Sequence, residues 1–366
     1  MCIRDRNLGA VANFRRVNRR MHNKSFTIDN QVTIIGGRNI ADEYFGARTD
    51  SAFGDMDVIG VGPIVQDVSN MFDTYWRHQA AVPVEGFIKP LKDSATVLNE
   101  LREHYVVHNA EMVNTPYAEA VIERAYELVE SNTNGFSWAP YKLIYDTPDK
   151  GIKGKADPAD LIIAPLRESL VAVEREIVIL SPYFVPEKVF RDSLIAIQKS
   201  GIKVQIVTNS LAANNQKTVH GGYAPARKPL LRAGVELYEV RPDARIAGTE
   251  YVKSDGARST LHTKSYVLDR REVFIGSFNF DPRSAYINTE MGVLIDDPLM
   301  GEEFVARIEE ALPRQVWSLS LDQKNRLVWQ GMKDGEPVTY SKEPMTSFWA
   351  RLMAGFYRML PIRGQL

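Results

Sequence analysis

Two stretches of this chain are one sequence written twice, and that repeat constrains the fold more than any other feature. Residues 261–279 read Leu-His-Thr-Lys-Ser-Tyr-Val-Leu-Asp-Arg-Arg-Glu-Val-Phe-Ile-Gly-Ser-Phe-Asn, and residues 21–39 read Met-His-Asn-Lys-Ser-Phe-Thr-Ile-Asp-Asn-Gln-Val-Thr-Ile-Ile-Gly-Gly-Arg-Asn. At a constant offset of 240 positions (262 − 22), His22 matches His262, Lys24 matches Lys264 and Ser25 matches Ser265. Asp29 likewise matches Asp269, Ile35 matches Ile275, Gly36 matches Gly276 and Asn39 matches Asn279, with no gap. The alternation of polar with β-branched and aromatic residues has the period of a strand, and the break at the aspartate predicts two strands joined by a tight turn. Histidine and lysine two apart then share one pleat face. A repeat kept for packing would preserve its apolar residues. This one preserves polar identities, so the copies are expected to face one site across a pseudo-twofold axis.

The bulk numbers leave that reading free. A length of 366 residues, 44% hydrophobic and 25% charged, suits two domains or one duplicated one with a sizeable core. A formal net charge of −1 exerts no global pull on nucleic acid or on an anionic membrane, so any anionic ligand must meet a local basic patch. Cys2 is the one cysteine, which excludes an intrachain disulfide and a cysteine-held metal cluster. No apolar run is long enough to span a bilayer. The opening Met1-Cys-Ile-Arg-Asp-Arg6 fits no targeting pattern and stands close before the first motif, whereas a long strand–helix alternation precedes His262. The first half is therefore expected to lack its opening β/α units.

His-x-Lys-x4-Asp followed by Gly-(Gly/Ser)-x-Asn, present twice, resembles the phospholipase D superfamily. Within it the chain is similar to the bacterial cardiolipin synthases of the C type. That closer likeness rests on Met21 to Asn39, Ser181-Pro-Tyr-Phe-Val-Pro186, Thr208-Asn-Ser-Leu-Ala212, His220-Gly-Gly-Tyr223, and Asp281-Pro-Arg-Ser284 leading to Asn288-Thr-Glu-Met291. The resemblance implies an α/β fold of two mixed-sheet halves flanked by helices, with the active site at their pseudo-twofold interface. It also implies phospholipid substrates such as phosphatidylglycerol and phosphatidylethanolamine, a membrane surface as partner and a peripheral place on the bacterial inner membrane. A nuclease of the same superfamily is the rival that the near-neutral net charge and the aromatic segment 347–360 argue against, so no nucleic acid is expected.

Three segments are expected: 1–150, the incomplete first half with the His22 motif; 151–313, the second half with the His262 motif; and 314–366, a β-meander and an amphipathic helix. Helices are predicted over 65–79, 94–107 and 117–130, the first from the helical spacing of Val68, Met71, Phe72, Tyr75 and Trp76. The seam at 132–158 is rich in proline, glycine and lysine, with Lys150, Lys153 and Lys155 available to a solvated linker or to lipid phosphates. Beyond it, helices over 161–173, 188–199 and 225–233 alternate with strands over 176–181, 202–208 and 235–240, the pattern of a sheet covered on both faces. Arg15, Arg16, Arg19 and Arg20 form a basic lead into the first motif, read as a solvated segment or as phosphate-facing. Across 347–360, Phe348, Trp349, Leu352, Met353, Phe356, Tyr357 and Leu360 mark one face, with Arg351, Arg358 and Arg363 nearby, a composition suited to a membrane interface or to docking on the protein's own core.

Phosphodiesters resist attack because their oxygens repel nucleophiles, so catalysis needs a nucleophile, positive charge and an acid for the leaving alkoxide. Two His-Lys pairs supply all three. One histidine would form a phosphohistidine while the other moves the proton, and the resemblance makes His22 the nucleophile and His262 the acid and base. Lys24, Lys264, Asn39, Asn279 and Ser277 are expected to hold the phosphate. Lysines take the place of a cation, so neither a metal nor another cofactor is implied. Asp29 and Asp269 complete the catalytic motif but fall at the turns, where they are expected to order the chain. Acids following each motif, Asp57 and Glu290, are expected to orient the histidines through the second ring nitrogen. His220 and Tyr223, in a loop after a strand, are assigned to substrate binding.

Overall fold

In the computed structural model the residues described are 18–45, 48, 50–86, 88–112, 122–123, 136–153, 161–245, 258–359 and 363–365. Expectations placed on Arg15, Arg16, Lys155, Leu360 and nearly all of the 117–130 helix lie outside them.

The first copy of the repeat folds into the hairpin β1 (Ser25–Ile28) and β2 (Val32–Gly36). After it come β3 (Ser51–Gly54) and β4 (Asp57–Val61), the latter antiparallel to β2, so the first-half sheet is β1-β2-β4 and wholly antiparallel. Helix Pro63–Trp76, opened by a proline at its first position, lays Ile64, Val65, Val68 and Met71 on that sheet. Those residues share one core with Ile35 and with Met291, Val293 and Ile295 of the second half. The halves are therefore joined through buried apolar surface.

Next come β5 (Tyr141–Tyr145), at the end of the segment set with the first half, and then, in the second half, β6 (Glu176–Leu180), β7 (Lys203–Asn209), β8 (Glu236–Val240), β9 (Arg258–Leu261), β10 (Ser265–Leu268), β11 (Glu272–Gly276) and β12 (Met291–Asp296). The C-terminal meander supplies β13 (Val316–Leu321), β14 (Leu327–Lys333) and β15 (Glu336–Tyr340). Ten of these strands form one sheet, β15-β14-β13-β8-β7-β6-β10-β11-β12-β5, in which β6, β7 and β8 run parallel. The meander thus extends the second-half sheet through β13 and β8, and β5, from the segment set with the first half, pairs with β12. Strand β6 shows why its sequence is apolar after Glu176: Ile177 and Ile179 share one core with Leu166, Leu194 and Ile206, while Val178 and Leu180 share another with Phe304 and Val305. Helix Pro298–Gln315 covers the latter face and is capped by Asp297, whose Oδ1 accepts from the backbone N–H groups of Leu299 and Met300.

Two short parallel contacts stitch the halves together at the site. Strand β3 pairs with β9, Gly54 opposite Leu261, and Met21 bridges Thr289. The helix expected at the C-terminus spans Phe348–Met359 and packs on helix Lys217–Tyr223, with Gly221 against Tyr357 and Arg358. Phe348, Trp349, Leu352, Phe356 and Met359 remain exposed.

Candidate active site

The parallel contacts set each histidine against an acid of the other half. In the first, Leu261 pairs with Gly54, so the next residues, His262 and Asp55, face each other; His262 Nδ1 lies 2.6 Å from Asp55 Oδ2. In the second, Met21 pairs with Thr289, and His22 Nδ1 lies 2.7 Å from Glu290 Oε2. Glu290 thus meets the first-copy histidine, but Asp57 does not meet the second. Asp57 binds Arg38 Nε at 2.5 Å, and Arg38 also binds the carbonyls of Tyr44 and Asp55. Sheet register explains the displacement: Gly36 pairs with Asp57 as Gly276 pairs with Gly292, so the counterpart of Glu290, two residues earlier, is Asp55. The repeated acid-Met step, Asp55-Met56 and Glu290-Met291, was the available signal.

Each lysine folds back on its own motif histidine. Lys24 Nζ donates to the His22 carbonyl at 2.8 Å, and Lys264 Nζ, buried, lies 2.8 Å from His262 Nδ1 and also reaches the His262 carbonyl. Burial, with the other lysine adding to it, brings Lys24 down to about 7; burial brings Lys264 down to about 8 despite the carboxylates around it. His262 is pushed down to about 3, first by burial and then by Lys264, against the pull of Asp55. For Asp55 burial acts upwards, but Lys264 and His262 outweigh it and hold the carboxyl below its usual range. Burial also opposes ionisation of Glu290, and His22 and Lys24 overcome it.

Glu290 is held in turn. Ser277 Oγ donates to its Oε2 at 2.5 Å, and the Asp146 carboxylate accepts from its backbone N–H at 2.8 Å. Asp146 is paired with buried Lys150, which also donates to the Ser284 carbonyl at 2.8 Å. Lys150 is therefore a buried structural cation and not a phosphate contact from a solvated loop. Ser277, fully buried with its hydroxyl spent on Glu290, supports the acid and does not face a phosphate. Its counterpart Gly37 has no room for such a side chain, because a Cβ there would meet the Asp55 carboxylate.

Asn39 is exposed and donates from Nδ2 to the Tyr44 hydroxyl at 2.8 Å; that hydroxyl lies 3.2 Å from His262 Nε2. Asn279 is buried, and its Oδ1 has no partner among the described residues. Tyr44 had no signal in the repeat, since its counterpart at the same offset is Ser284. His220 and Tyr223 are not brought to this site. His220 is buried against Glu343 at 3.2 Å, and Tyr223 is packed with Phe184 and under the Arg227 guanidinium, which joins Glu239 and Glu343. They anchor the helix that the C-terminal helix packs on.

The motif aspartates are turn residues. Asp269 and Arg270 both take φ 55°, and the Asp269 carboxylate accepts from the backbone N–H groups of Glu174, Arg175 and Glu176 at 2.7–3.0 Å. Asp29 and Asn30, at φ 49° and 52°, make the same turn. Among the described residues no group of three or more His, Cys, Asp or Glu is arranged to hold a metal ion.

Two His-x-Lys segments, each immediately ahead of a hairpin and meeting between the halves of a duplicated α/β fold, define the phospholipase D class. The family described as "Cardiolipin synthase, PLD-like domain" matches residues 166–317. The chain is 37% identical to cardiolipin synthase C of Escherichia coli (strain K12) over 98% of its length and 75% of that protein's. It is 23% identical to a minor cardiolipin synthase of Bacillus subtilis (strain 168), over 82% of this chain and 58% of that one. Among solved structures, the phosphatidylserine synthase of Haemophilus influenzae Rd KW20 shares the fold at a TM-score of 0.56 and 14% identity, covering 94% of this chain and 71% of that one. The chain belongs to the cardiolipin synthase family of the phospholipase D superfamily.

Proposed function

We propose that the chain is a phosphatidyltransferase that makes cardiolipin, moving a phosphatidyl group from one phospholipid to a hydroxyl of phosphatidylglycerol. The observation that carries this reading is the pair of crossed dyads, His22–Glu290 and His262–Asp55, with Lys24 bonded beside the first histidine and Lys264 beside the second. His22 retains 25% side-chain exposure against 7% for His262, and with Nδ1 bound to Glu290 its Nε2 is the atom for phosphorus. Attack forms the P–N bond, breaks the P–O bond of the donor headgroup, and sends the His262 proton to the departing oxygen. Burial depresses His262 first and Lys264 second, and an anionic phosphate beside the lysines offsets the second, so its proton affinity rises as an oxygen arrives. In the second step the acceptor hydroxyl gives its proton to His262, its oxygen bonds phosphorus, and the P–N bond breaks. The lysines neutralise the equatorial oxygens, and the free amide of Asn279 can turn its NH2 towards one of them.

No described helix is long and apolar enough to cross a membrane. The exposed Phe348, Trp349, Leu352, Phe356 and Met359 beside Arg351 and Arg358 suit a helix lying in the headgroup region, which would place the chain peripherally on the bacterial inner membrane. The test is radiolabelled phosphatidylglycerol, with and without phosphatidylethanolamine, incubated with the chain and with His22→Ala and His262→Ala. Cardiolipin from the parent and from neither variant is expected. Phosphatidic acid alone would move the reading to a hydrolytic phospholipase D.

A further inference from the structure

Transfer requires that water lose to a lipid hydroxyl at the phosphohistidine, and the surroundings of His262 address that competition. Three aromatic rings enclose its imidazole: Tyr44 edge-on at 5.0 Å, Phe53 stacked at 5.7 Å and Tyr183 edge-on at 6.4 Å. Its Nδ1 lies against Asp55 and Lys264 Nζ, and at the remaining nitrogen the Tyr44 hydroxyl, supported by Asn39, and Lys264 Nζ each stand 3.2 Å away. His22 has no such enclosure among the described ring contacts. The enclosure is therefore built around one histidine, and its polar tip stands where an attacking oxygen must give up its proton.

We propose that Tyr44, with the collar of Phe53 and Tyr183, sets the choice between transfer and hydrolysis by withholding His262 Nε2 from water. This inference rests on the transferase reading given above. In the tautomer that donates Nδ1–H to Asp55, Nε2 accepts from the Tyr44 hydroxyl in the resting site. An acceptor alcohol must replace that bond before its proton can pass to Nε2 and its oxygen attack phosphorus with loss of the P–N bond to His22. A lipid alcohol is held in place by contacts elsewhere on its molecule and meets the cost of displacing Tyr44 from that binding. A lone water has no such binding to spend, and Tyr44 and Lys264 already occupy the approach to Nε2. Opening the collar removes the handicap for water more than for lipid.

The decisive experiment is the ratio of phosphatidic acid to cardiolipin formed from phosphatidylglycerol vesicles by the parent and by Tyr44→Phe. The expected result is a rise of about tenfold, the size of one lost hydrogen bond, with unchanged circular dichroism. A general packing defect would lower both products together. Cardiolipin from the parent with an unchanged ratio in Tyr44→Phe overturns the collar and leaves the transferase reading standing. A parent that releases only phosphatidic acid overturns that reading instead. A second measurement needs no turnover: diethyl pyrocarbonate labelling, mapped by peptide mass, is expected to reach His22 and spare His262 in the parent, and to reach both in a folded Tyr44→Ala. Equal labelling of both histidines in the parent would also sink the proposal.

Discussion

The two copies of the repeat fold alike and are used differently. Both make a hairpin in the same register, Ser25 to Ile35 and Ser265 to Ile275, with both turn residues at positive φ. Beyond the hairpin they part. Strand β10 lies inside a sheet, paired with β6 on one side and β11 on the other, and all its residues are buried. Strand β1 is an edge among the described strands, with Phe26 and Ile28 about half exposed. The lesson is that local sequence dictates the turn and the pleat, while neighbours dictate burial and, through burial, chemistry. His262 and His22 share a motif but not a dielectric.

The sharpest break of the comparison is to delete each histidine. If the copies divide the labour of one phosphorus, His22→Ala and His262→Ala should each lower turnover by about 10⁴-fold or more, and the double variant should be little worse than either. Additive losses would mean two independent sites. Next in size is the pair of acids. Asp55→Asn leaves the imidazole geometry but not its charge partner, and should reduce kcat by about 10²-fold or more with little change in KM. Asp57→Asn should leave kcat near that of the parent, because its bond is to Arg38. A larger loss at position 57 than at 55 would overturn the crossed dyad.

A stability contrast follows from the turns. Asp269→Ala loses three backbone hydrogen bonds to a carboxylate and should cost about 2 kcal/mol in urea unfolding. Asp29→Ala should stay within about 0.5 kcal/mol. For Asp269 burial pushes the carboxyl up, but the N–H groups of Glu174, Glu176 and Arg175 hold it below its ordinary value. A depressed folded value means the contribution is complete above the ordinary carboxylate range and is lost as pH falls through the folded value. The Asp269→Ala deficit should accordingly shrink in acid, and an equal deficit at position 29 would show that the edge hides a partner.

Much of the site was legible because catalysis keeps polar identities through a duplication: His22, Lys24, His262 and Lys264 stood out at one fixed offset. The alternation of strand and helix after residue 160 was equally readable, since β6 is apolar on both faces and the helices after it are amphipathic. What escaped was set by register and by tertiary contact. Asp55 and Asp57 are both acids before an apolar run, and only the pairing of Gly36 with Asp57 decides between them. Ser277 looked like a phosphate ligand and is a support for Glu290, a distinction that needs its neighbour's position. His220 and Tyr223 lay where loop ligands gather, yet Glu343, more than a hundred residues on in the chain, buries them. Tyr44 belongs to no repeat at all.

The smallest effect is the most specific to the difference between the copies. In the free protein Lys24 is brought down to about 7 and Lys264 to about 8, burial being the main cause of each; Asp55, Glu290, Asp281 and Asp57 support the charge of Lys264. As pH rises, Lys24 should lose its proton before Lys264, and the hold on an anionic donor should weaken in that order. A profile of kcat/KM, which reports the free enzyme, should bend downward near pH 7 with a slope of about −1 and steepen past pH 8. Lys24→Arg keeps its charge throughout and should remove the first bend while leaving the second. The same bend in Lys24→Arg would assign the titration to another group, and a flat profile to pH 9 would mean that both lysines keep their protons in spite of burial.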